Sequence, residues 1–109
     1  MKLVVIESPY AGDVERNVTY ARRAMADCLA RGEAPIASHL LYTQPGILDD
    51  NKPEERALGI KAGLHWAGCA NKAVYYMDYG LSAGMEKALT FYTEYGMDVE
   101  FRRIGENGQ

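Results

Sequence analysis

Two cysteines, Cys28 and Cys69, are all that 109 residues contain, and neither belongs to a Cys-x-x-Cys or Cys/His cluster. A disulfide framework and a thiolate metal site are thereby excluded, and the expectation is a reducing compartment with both thiols buried. His39 and His65 find no third ligand at metal spacing, so neither metal nor other cofactor is expected. Positive charge is also scarce: 12 Lys and Arg stand against 15 Asp and Glu, a net charge of -3. Affinity for a nucleic-acid polymer comes from clustered basic residues, and here the basic pairs Arg22-Arg23 and Arg102-Arg103 are isolated. No apolar run is long enough to span a membrane, and "MKLVVIES" is too short for a signal peptide. The expected location is cytoplasmic, away from membranes.

What is present is an apolar share of 48%, enough for residues 1–109 to form one domain with one core and room for one site. "LVVIES", from Leu3 to Ser8, is a continuous apolar run rich in β-branched residues, as in a central parallel strand buried on both faces. After Asp13, a suitable N-cap, Val14, Val18, Ala21, Met25 and Cys28 recur at spacings of four and three until Gly32 stops the helix. "APIAS" reads as a short second strand. "HLLYTQPGILDDNKP" is a long loop punctuated by Pro45, Gly46 and Pro53.

Pro53, Glu54 and Glu55 open a second long helix through "PEERALGIKAGLHWAGCA". Its apolar residues occupy two faces, Leu58 with Ala62 and Ile60 with Leu64, which predicts a homodimer or larger homo-oligomer with Trp66 at the interface. "KAVYYMD" is a third strand, with Tyr75 and Tyr76 alternating inward and outward. "SAGMEKALTFYTEYG" is a helix with Met85, Leu89, Tyr92 and Gly96 in register, and "MDVEFRRI" is a fourth strand. This alternation predicts an α/β fold: a Rossmann-like, flavodoxin-type doubly wound parallel sheet of four or five strands in a three-layer sandwich.

Such sheets bind ligands at the carboxyl ends of their strands, where two loops stand out, "ESPYAGD" and "DYGLSAGME". Ser8 offers a hydroxyl, Tyr10 a flat ring, and Gly12 lies just before a helix N-terminus that attracts anions. Gly80 and Gly84 allow close backbone approach, and Ser82 can cap the following helix. Glu86 lies in that helix's first turn, where the dipole keeps a carboxylate ionised. His39, following the second strand, is a further candidate for facing a ligand.

"DYGLSAGMEKALTFYTEYG" resembles the glycine-rich active-site segment of the nucleoside 2-deoxyribosyltransferase family, in which a glutamate follows a Gly-Met or Gly-Tyr step. "SPYAGDVERN" resembles that family's first loop, and the layout from Met1 to about Ile104 resembles its small, often phage-encoded relatives. The resemblance implies cleavage of an N-glycosidic bond, or base exchange, on a nucleoside or its 5'-monophosphate. Glu86 would be the nucleophile, and Asp78 would orient or protonate the departing base. Tyr10 would stack on a ring, and Ser8 and Ser82, with the amides at Gly12 and Gly84, would hold the 5' end. The ligand is then a small nucleoside or nucleotide. The alternative is a catalytically inactive nucleotide-binding or regulatory domain on the same fold. Its support is that Asn71 and Lys72 stand where active members carry an acid near the start of the third strand.

Overall fold

The computed structural model describes residues 1–105; the last four positions of the expected 1–109 unit lie outside them. Four strands, β1 (Leu3–Glu7), β2 (Ala34–Ile36), β3 (Lys72–Tyr76) and β4 (Asp98–Arg102), form a wholly parallel sheet in the order β2-β1-β3-β4. Strand order reverses between β1 and β3, which opens a crevice at their carboxyl ends. The sheet is the expected flavodoxin-type sandwich. On one face α1 (Val14–Ala30) covers Val4, Ile6, Val74 and Tyr76. On the other, α3 (Pro53–Ala67) and α4 (Ala83–Glu94) cover Val5, Ala73 and Tyr75.

Both predicted N-caps form. The Asp13 carboxylate accepts from the Arg16 amide at 3.1 Å, and the Ser82 hydroxyl accepts from the Met85 amide at 3.2 Å. Gly32 follows α1 with φ +79°, a conformation that side chains other than glycine rarely adopt. Where "HLLYTQ" reads as loop, a four-residue helix, α2 (Ser38–Leu41), forms instead. It is too short for periodicity to reveal.

Four packing expectations are revised. α3 buries Gly59, Gly63 and Ala67 rather than its large apolar residues, because small residues let α2 approach: a Cβ at Gly63 would lie 3.0 Å from that of Ser38. Leu58, Ile60 and Trp66 consequently face outward. Tyr75 and Tyr76 are both buried, one on each face, because helices cover both sides of the sheet. Cys28 is buried, but Cys69, in the turn after α3, is exposed. The buried stripe of α1 also differs from the apolar pattern: Asn17, Tyr20, Ala21, Ala24 and Cys28 line it, and Val14 is exposed.

A charged network replaces apolar packing along the β3–β4 edge. Arg102, almost fully buried, makes two 2.7 Å bonds to the Glu33 carboxylate and also pairs with Glu100. Lys72 reaches Glu100 at 2.7 Å and Glu33 at 3.5 Å. Hydrogen bonds from Arg102 and then Lys72 hold the Glu100 carboxyl down to about 2, and Arg102 lowers Glu33 in the same way.

Candidate functional site

Three loops meet at the carboxyl edge of the sheet. After β1, Ser8 is buried and Tyr10 stacks on His39 from α2, with ring centroids 4.8 Å apart and planes 21° from parallel. Asn17 fixes this loop, its amide donating to the carbonyls of Tyr10 at 2.9 Å and Ala11 at 3.3 Å. Gly12 turns with φ +99° before the Asp13 cap. Burial keeps the His39 imidazole below its ordinary range; Asp50 pulls it up and Arg56 pushes it further down. The ring is therefore neutral at physiological pH.

Tyr10 and Gly12 border a cleft of about 640 Å³, whose opposite wall is the chain from Thr43 to Lys52 together with Glu55. Asp49, Asp50 and Glu55 outnumber Lys52 there, so the charge lining the cleft is net acidic. Glu55 accepts from the Asp49 amide at 2.9 Å and pins this segment to α3.

The loop after β3 places the remaining candidates. Asp78 anchors the chain beyond β4: its carboxylate accepts from the Tyr20 hydroxyl, from the Ile104 amide at 2.9 Å and from the Gly105 amide at 2.8 Å. Burial pushes this carboxyl up, but those hydrogen bonds outweigh it and hold it below the usual range. Asp78 is thus ionised and fully engaged. Asp78→Asn sets an amide N–H against the backbone donors, and a loss of about 1–3 kcal/mol is expected in urea unfolding at neutral pH. An unchanged midpoint would show that the anchor is not needed.

Ser82 caps α4 while keeping its hydroxyl proton free to donate, and Gly84 occupies the helix's second position. Glu86 follows in the first turn, exposed, with no side-chain hydrogen bond among the described residues. The structure brings Tyr10 to His39, and it sets Ser82, Gly84 and Glu86 together on α4. None of these three borders the cleft beside Tyr10. Asn71 and Lys72 lie at the opposite, amino-terminal edge of the sheet, where Asn71 accepts from the Leu3 amide at 2.7 Å. An acid at either position would not reach the carboxyl-edge loops.

Sequence patterns passed over Glu7, the last residue of β1. Its carboxylate accepts from the Tyr92 hydroxyl of α4 at 2.5 Å. Burial pushes this carboxyl up to about 7, against the lowering effect of that hydrogen bond. The signal available in sequence was an acid ending an otherwise apolar strand. A raised carboxyl means that the folded state holds a proton which the unfolded chain has released. The stabilisation is full below the unfolded value of 4.5 and is lost as pH rises to about 7. Glu7→Gln should therefore unfold like the wild type near pH 5 and be more stable at pH 8, by on the order of 2–3 kcal/mol. Equal stabilities at pH 8 would contradict the shifted titration. Among the described residues no group of His, Cys, Asp and Glu could hold a metal ion, and no helix is long and apolar enough to cross a membrane.

Comparison with known proteins adds three findings. The profile of a family described as a domain of unknown function (DUF7768) matches residues 2–102. No curated protein sequence gives a significant match. Among solved structures, a 2-deoxyribosyltransferase from the psychrotolerant bacterium Bacillus psychrosaccharolyticus superposes with a TM-score of 0.72 at 14% identity, covering 95% of this chain and 74% of that one. At that identity the likeness is one of fold.

Proposed function

The chain belongs to the DUF7768 family, and we propose that it is an enzyme that breaks the N-glycosidic bond of a deoxynucleoside, passing the sugar to water or to a second base. The observation that carries this reading is Glu86: a carboxylate with no side-chain hydrogen bond among the described residues, one residue after Gly84-Met85, in the first turn of the helix that follows the switch-point strand. Its place in the first turn lets the helix dipole favour negative charge there, and a carboxylate nucleophile forms its bond through such an oxygen. The fold shared with a deoxyribosyltransferase supports the same chemistry.

In this reading Glu86 attacks the anomeric carbon, the base departs, and water or another base releases the sugar by the two-step logic of retaining glycosidases. Tyr10, held flat against His39, offers a stacking surface. Ser8, Ser82 and the amides near Gly12 and Gly84 hold the sugar and its 5' end. The cleft beside Tyr10 carries more acidic than basic side chains, which disfavours a 5'-phosphate on that side of the site. Asp78, ionised and held by three donors, has no proton to give and serves to fix the β3–α4 loop. The alternative is an inactive nucleotide-binding domain on the same fold; positions 71 and 72, whose lack of an acid supports it, lie at the start of β3, away from Glu86.

The assembly proposed with this function is a homodimer. Ile60, Leu64, Phe91, Tyr95 and Met97 line an apolar groove of about 620 Å³ between α3 and α4, and Trp66 and Leu58 are exposed on the same helix α3. Sedimentation at micromolar concentration should show a dimer, and a monomer would remove this part of the proposal. The function itself is tested by chromatography of free base after incubation with each deoxynucleoside and its 5'-monophosphate. Release from deoxynucleosides is expected; measurable binding without release would favour the inactive domain.

A further inference from the structure

Glu7 takes no part in the chemistry assigned to Glu86, and apolar surroundings make it a poor choice for packing alone. It ends β1 at the switch point, in register with Tyr75 of β3. Tyr92 occupies its Oε2. Among the described residues no buried side-chain oxygen lacks a partner, so Oε1, which receives no protein hydrogen bond, reaches solvent. Both neighbouring phenols lead to α4. Tyr75 donates to the carbonyl of Met85 at 3.0 Å, immediately before Glu86, and Tyr92 lies farther along the same helix. Glu7 is thus a carboxyl with one oxygen fixed and the other open, packed against the helix that carries the nucleophile.

We infer that Glu7 is the acid–base residue of this reaction, donating a proton to the departing base and recovering one from the water or second base that releases the sugar. The inference rests on the glycosyl-transfer reading of Glu86. In the first step a Glu86 oxygen bonds to the anomeric carbon while the carbon–nitrogen bond breaks; its electron pair leaves with the base, which takes the Glu7 proton. In the second step water attacks the same carbon, its proton passes to Glu7, and the Glu86 carboxylate is restored. Atoms and charge balance without a further reactant.

The groups that face Glu7 suit this role. Tyr75 and Tyr92 are its ionisable neighbours, and burial raises both phenols, so they remain neutral. The α3 residues on this face of the sheet, Leu64 and Ala67, are apolar. With no cation beside Glu7 among the described residues, burial holds the carboxyl at about 7, where both protonation states are available.

Glu7→Gln keeps an acceptor for Tyr92 and removes the transferable proton. For ordinary deoxynucleosides its kcat/KM should fall by about a hundred- to ten-thousand-fold. Wild-type activity should decline as pH rises past neutrality, and the variant should lose that limb. A 7-methylpurine deoxynucleoside, whose base departs neutral without protonation, should restore most of the loss. Tyr92→Phe, as a second variant, should move the declining limb to higher pH, because the lost hydrogen bond favoured the carboxylate.

The assignment is overturned if the wild type is active while Glu7→Gln stays within threefold of it, or is equally impaired on the methylated substrate. Should Glu7→Gln not fold, an unmoved limb in Tyr92→Phe overturns it instead. If the wild type releases no base from either substrate, the glycosyl-transfer reading itself fails, and the Glu7 assignment falls with it.

Discussion

Glu86→Gln should fold and bind a deoxynucleoside as the wild type does, yet release base several powers of ten more slowly. The side chain is exposed and makes no hydrogen bond among the described residues, so its structural contribution is the interaction with the helix dipole alone. That interaction is worth roughly 0.3–1 kcal/mol, and a neutral amide forfeits no more. The covalent step is different in kind, because an amide cannot form and then release the glycosyl ester. Glu94, at the other end of α4, receives no support from the dipole and has no proposed role, so Glu94→Gln should leave turnover intact. A Glu86→Gln enzyme retaining more than about a tenth of wild-type activity, a barrier change of only ~1.4 kcal/mol, would contradict the nucleophile assignment.

The largest effect on stability should come from Arg102→Met. The substitution keeps much of the apolar stem but leaves Glu33, buried at 8% exposure, with Lys72 at 3.5 Å as its nearest cation. Removing one partner of a buried ion pair costs about 3–5 kcal/mol, a large part of the 5–15 kcal/mol that holds a typical domain together. In a chain of this size the thermal midpoint should fall by more than about 10 °C. Adding Glu33→Gln should recover part of the loss by removing the uncompensated charge.

The network also has a pH signature. The Glu33 and Glu100 carboxyls are both held below the unfolded value of 4.5, so their stabilisation is complete above that value and drains away as pH falls below it, for Glu100 down to about 2. Arg102→Met should flatten that acid limb. A variant within about 1 kcal/mol of wild type at pH 7 would mean that the network contributes little net stability.

The strands and the helix ends were legible because local chemistry decides them. A short apolar run rich in β-branched residues reads as a strand covered on both sides, and Asp13 and Ser82 carry the oxygens that helix starts favour. α3 was misjudged for a reason that hydrophobicity cannot reveal. Its buried stripe is Gly59, Gly63 and Ala67, with Gly63 giving α2 its close approach, and Leu58, Ile60 and Trp66 are exposed while Leu64 alone of the larger residues packs on the sheet core.

Asn17 lies outside the apolar pattern of α1, and its amide shapes the Tyr10 loop from a buried position that periodicity does not reveal. Glu7 escaped notice because an acid at a strand end reads as punctuation; only the fold reveals that Tyr92, 85 residues away, meets it there. Asp78 was visible as a strand-end acid, but its three donors come from α1 and from the chain after β4. The residue types of the site could be read locally, whereas their protonation depends on distant neighbours.

The central claim is a covalent bond between Glu86 and the sugar, and the most direct measurement is mass spectrometry after incubation with a 2'-deoxy-2'-fluoronucleoside, whose electron-poor sugar slows release of the intermediate. The account predicts a fluorosugar adduct on the peptide containing Glu86, with free base in solution and no adduct on Glu86→Gln. Release of base with the adduct on another carboxylate, or with no adduct at any time during turnover, would contradict it.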